Sequence, residues 1–97
     1  MIKYTELEIA LLILFLAKED HQLSLSELEK TLYQKCKKKK PKTARQSIAA
    51  LVRSTSQKLL RIRAMIERTT PQGRGNEAVY KMKGQIDVVR QTMEQFL

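Results

Sequence analysis

The chain has 97 residues, with 19 Lys and Arg against 10 Asp and Glu, a formal charge of +9; this length holds one small domain and excludes a two-domain enzyme with an interdomain cleft. An apolar fraction of 42% supplies one core, which separates the chain from a disordered basic tail of equal charge. A folded module this basic suits a polyanion, nucleic acid ahead of an anionic membrane surface, because neutralising phosphates releases condensed counterions.

One cysteine, Cys36, and one histidine, His21, cannot build a disulfide framework or a four-ligand zinc site. Cys36 with His21 lacks a third polar group to orient the imidazole. No catalytic residue, metal or cofactor is therefore expected, and the chain is not expected to be an enzyme. Cys36 beside lysines is either a redox-sensitive thiolate or, more simply, an incidental half-buried thiol.

Thr5 and Glu8 have the Thr-x-x-Glu spacing of a capping box. The apolar run Ile9 to Ala17 that follows is too short to span a bilayer, and Lys18, Glu19 and Asp20 stand where a signal cleavage site would lie. It reads as a buried helix that needs cover on more than one side, and the expected location is cytoplasmic. His21 is read as a turn residue. Leu23-Ser24-Leu25 forms a short extended segment, and Ser26 with Glu29 predicts a second capping box opening a helix to about Gln34. Lys35 to Lys42 is a loop, because dense like charges repel and Pro41 bars its predecessor from helical backbone.

Thr43 with Gln46 predicts a third box, starting a helix over 43–60. Ile48, Leu51, Val52, Thr55 and Leu59 follow its core spacing, while Gln46, Ala49, Arg53 and Gln57 lie opposite, with Arg45 at the edge. A slim face bearing hydrogen-bonding and basic groups suits entry into a major groove. From Leu60 the period becomes two: Leu60, Ile62, Ala64 and Ile66 inward, Arg61, Arg63, Met65 and Glu67 outward, a strand. Thr70 to Asn76 is a turn cluster, and Ala78, Tyr80 and Met82 alternate with Val79, Lys81 and Lys83, completing a hairpin. Gln85 to Leu97 closes the chain as a helix with Ile86, Val89, Met93, Phe96 and Leu97 on one side.

The order helix, short strand, helix, longer helix, hairpin resembles the winged helix-turn-helix, and within it the effector domains of OmpR/PhoB-type response regulators, here without a receiver domain. Lys42-Thr43, Ile48 and Leu51 match that family's recognition helix, and Ile66-Glu67 with Tyr80-Lys81-Met82 match its wing. The resemblance implies a mostly α, α+β fold. A winged-helix DNA-binding domain would occupy 1–84, and 85–97 would be an extra C-terminal helix for dimerisation. It also implies sequence-specific binding of double-stranded DNA by a transcriptional regulator, with helix 43–60 in the major groove and wing 70–76 on the backbone or minor groove.

The expected DNA contacts are the phosphate-binding run Lys37, Lys38, Lys39 and Lys40, then Lys42, Thr43, Arg45, Gln46, Ala49 and Arg53, and on the wing Gln72 and Arg74. Ile86, Val89, Met93, Phe96 and Leu97 are the expected homodimer stripe. The alternatives are a winged-helix module gripping a protein partner, or an RNA-binding or nucleoid architectural protein; the scattered aromatics disfavour a base-stacking sheet.

Overall fold

The computed structural model describes residues 3–70 and 77–96. The protein is an α+β fold: α1 (Glu6–Ala17), β1 (Gln22–Ser24), α2 (Leu25–Lys35), α3 (Ala44–Leu59), β2 (Ala64–Arg68), β3 (Val79–Gly84) and α4 (Ile86–Met93), with 3₁₀ turns at Leu60–Ile62 and Glu94–Phe96. Gln72, Arg74 and Leu97 lie outside the described residues.

α1 starts as its sequence predicts. The Thr5 hydroxyl accepts from the Glu8 amide at 3.2 Å, and the Glu8 carboxylate accepts from the Thr5 amide at 2.8 Å. The helix is apolar all round because α2, α3 and α4 all pack against it. Leu11, Leu12 and Phe15 are wholly buried, with Ile9 and Leu14 packed at the margin of the core. No helix among the described residues is long and apolar enough to cross a membrane.

The three strands form an antiparallel sheet in the order β1-β3-β2. β2 and β3 are the expected hairpin, paired through Ile66 with Met82, and β1 joins the far edge of β3 through Leu23 with Tyr80. Leu23, Ala64, Ile66, Tyr80 and Met82 put one face of the sheet into the core that the helices share.

Three sequence expectations are corrected. The cap of α2 is Ser24, whose hydroxyl accepts from the Glu27 amide at 3.1 Å; Ser26 and Glu29 form no box. Sheet pairing decides this, since Ser24 opposite Val79 ends the extended segment and the Leu25 amide then donates to the Ala78 carbonyl at 2.8 Å. Thr43 makes no side-chain cap on α3, because its ψ of 40° is not the extended backbone that aims an N-cap hydroxyl at the next amides. The strand after α3 begins at Ala64, four residues later than the alternation suggests, because helical structure runs on as a 3₁₀ turn and Arg63 (φ 60°) turns the chain. Leu60 is consequently 59% exposed, and Arg61 and Arg63 precede the strand instead of lining it.

Gly84 makes that junction possible. At φ +100° it sits against the Arg63 backbone, and a Cβ there would fall 2.3 Å from the Arg63 carbonyl oxygen. Gly84→Ala is expected to cost at least about 1–3 kcal/mol from the positive φ alone, the clash adding to it. A urea midpoint within experimental error of wild type would contradict this.

Candidate nucleic-acid interface

α3 presents two opposite faces. Ala44, Ile48, Val52, Thr55 and Leu59 are buried, with Leu51 half-buried; Arg45, Gln46, Arg53 and Gln57 are exposed around the half-buried Ala49. The inward stripe packs on α1, α2 and β2, and the other side carries the exposed residues of the helix.

The lysine loop leads into α3 through a left-handed residue. Lys37 (φ 57°) closes α2, letting the Lys38 amide donate to the Tyr33 carbonyl at 2.9 Å, and the chain turns from there towards α3. A side chain at positive φ is disfavoured outside glycine, so this turn is held by its hydrogen bonds. Lys38 pairs with Glu6 at 3.5 Å and Lys40 with Glu29 at 3.0 Å, whereas Lys37, Lys39 and Lys42 are exposed and make no ion pair among the described residues. The Lys38–Glu6 pair is exposed on both sides and contributes little. Thr43 is exposed at the start of α3, beside the loop.

Arg45 and Arg53 differ in a way that spacing could not reveal. The Arg45 Nε–H donates to Glu29 at 3.0 Å and its Nη2 to the Ser26 hydroxyl at 3.4 Å. Ser26 in turn donates to Glu77, at the foot of β3, from both its hydroxyl and, at 2.7 Å, its amide. The Lys40 ammonium, with Arg45 adding to it, holds the Glu29 carboxyl below its ordinary value; the Ser26 hydroxyl does the same for Glu77. Arg53 makes no ion pair among the described residues. It borders a groove of about 400 Å³ between α3 and the hairpin, with Ser56, Gln57, Leu60, Met65 and Arg68.

The structure therefore brings Lys37 to Lys42, Thr43, Arg45, Gln46, Ala49 and Arg53 onto one continuous stretch of loop and helix. Sequence reasoning missed Glu29, Ser26, Glu77 and Arg68; the only signal for the first two was capping spacing, which pointed elsewhere. Cys36 is half-buried, its thiol donating weakly to the Tyr33 carbonyl at 3.9 Å.

The stripe expected to hold a second copy is partly used within the chain. Val89 and Met93 are wholly buried, in a helix packed on α1, because one small core has room for both apolar surfaces. Ile86 is half-buried and Phe96 is 46% exposed. Among the described residues no group of three or more His, Cys, Asp or Glu is placed to hold a metal. The chain matches no protein-family model, no curated protein and no solved structure.

Proposed function

We propose that the protein is a sequence-specific double-stranded DNA-binding protein of winged helix-turn-helix type, acting as a transcriptional regulator. The observation that carries this reading is the exposed face of α3, with Arg45, Gln46, Ala49 and Arg53 directly following an exposed lysine loop. Arg matches guanine and Gln matches adenine in bidentate geometry, and the small Ala49 admits close approach to base edges. The element order also supports it, together with the packing of α3 beside β2 of the hairpin.

Duplex binding measured by fluorescence anisotropy across a salt series tests the reading, with single-stranded DNA and RNA as competitors. Affinity should fall linearly on a log-log plot, and neutralising Lys37 to Lys40 should reduce the slope by about 0.9 for each phosphate that the variant no longer neutralises. Whichever of Arg45 and Arg53 reads a guanine, replacing that residue by Ala should cost about 1–3 kcal/mol on the best site and relax the preference at that base pair. A folded double variant that binds its best site unchanged, or preference for RNA over duplex, would remove the proposal.

Leu60 and Met65 favour a second reading, a protein-binding module. They are large apolar side chains, exposed together in the groove between Arg53 and Arg68. A mostly apolar protein interface there would be nearly independent of salt, which separates the two.

A further inference from the structure

α3 carries two candidate base-reading arginines, and only one is fastened. Arg45 is gripped along one edge of its guanidinium, Nε–H to the Glu29 carboxylate at 3.0 Å and Nη2 to Ser26 at 3.4 Å. The groups that grip it belong to a larger chain. Lys40 of the loop holds the other Glu29 oxygen at 3.0 Å, and Glu77 of the hairpin holds Ser26. The loop before α3, the middle and start of α2, and the foot of β3 thus converge on one exposed side chain.

An arginine held along its Nε/Nη2 edge still has its end-on N–H pair, one proton from each Nη, directed away from the contact. That pair is the fork that recognises guanine O6 and N7. A free arginine must lose rotamer entropy when it binds, whereas a fastened one has lost part of it on folding. The same carboxylate also lowers the local positive charge, which weakens indiscriminate attraction to phosphate.

We infer that Glu29 is a positioning residue for base selection, holding Arg45 so that its free fork reads one guanine while Lys40 is kept beside it for the adjacent phosphate. The inference rests on the DNA-binding reading and adds a division of labour. Arg45 selects, and Arg53, without an ion pair among the described residues, contributes mainly affinity.

The test compares wild type, Glu29→Ala, Glu29→Gln and Arg45→Ala on a panel of duplexes carrying single base-pair changes, with thermal melts to show that each chain is folded. Arg45→Ala should identify the base pair read. Glu29→Ala should lower discrimination at that same base pair about tenfold, while affinity for random duplex holds or rises because one negative charge is gone. Glu29→Gln keeps an acceptor for Nε and should recover part of the discrimination, which a purely electrostatic role would not allow. Wild-type discrimination retained in both folded Glu29 variants would overturn the inference, as would an Arg45→Ala chain that relaxes no base pair. Wild-type protein that fails to bind duplex would instead remove the DNA-binding reading, and the inference with it.

Discussion

Replacing Lys58 by Met is expected to destabilise the protein by about 2–4 kcal/mol, below the ~3–5 typical of a fully buried pair because Lys58 is one-third exposed. Glu8 is only 2% exposed, and its carboxylate depends on the Lys58 ammonium at 2.6 Å, the Thr5 amide at 2.8 Å and the Ser54 hydroxyl at 3.3 Å. Burial pushes this carboxyl up, but the hydrogen bonds from Lys58 and Thr5 outweigh it and hold it below its ordinary value. The sign of the pH dependence follows. Wild-type stability from this group is complete above the unfolded glutamate value of about 4.3 and is lost as pH falls through the lower folded value. Without Lys58 burial dominates, the folded carboxyl prefers its proton, and the variant loses stability as pH rises past about 4.3. The gap between the two proteins in urea unfolding should therefore narrow on acidification, and Glu8→Gln in the Lys58→Met background should restore part of the stability. A gap that is small at neutral pH, or the same at pH 3.5, would show that water already solvates Glu8.

Phe15→Ala is expected to cost about 3–5 kcal/mol, the range for removing a wholly buried aromatic ring from a core that cannot collapse around the gap. The ring lies on α1, the helix that α2, α3 and α4 all cover, so relaxation at one interface would disturb the others. Total stabilities of domains are about 5–15 kcal/mol, so the variant should be close to unfolding at ambient temperature, with a melting point lowered by more than about 10 °C. A melting point lowered by less than about 5 °C would show that the core repacks.

The element order, the long helix with a buried and a basic face, the hairpin and the buried first helix were legible in the sequence, because each repeats a local pattern over many residues. Ile48, Val52 and Leu59 recur at helical spacing, and Tyr80 and Met82 at strand spacing, so many side chains agree on one answer. The boundaries were less legible. Ser26 with Glu29 and Thr43 with Gln46 satisfy the capping pattern as well as Thr5 with Glu8 does, yet only the last forms a box. A cap depends on one backbone angle, and pairing with a distant strand or the exit from a loop can reset that angle.

Alone, the sequence determined the class of this protein: a small basic α+β domain whose longest helix turns arginines and a glutamine outward, since charge and periodicity are properties of the chain itself. Tertiary structure decided what those side chains meet. It placed Glu29 and Ser26, sixteen and nineteen residues from Arg45, on the same guanidinium. It took Val89 and Met93 into the chain's own core, away from a second copy, and it left Leu60 in the open by letting a helix run one turn further. The physical reason is the same in each case. Local pattern settles which faces are apolar, but the partner of each side chain is chosen by competition among distant segments for one core and a few polar groups.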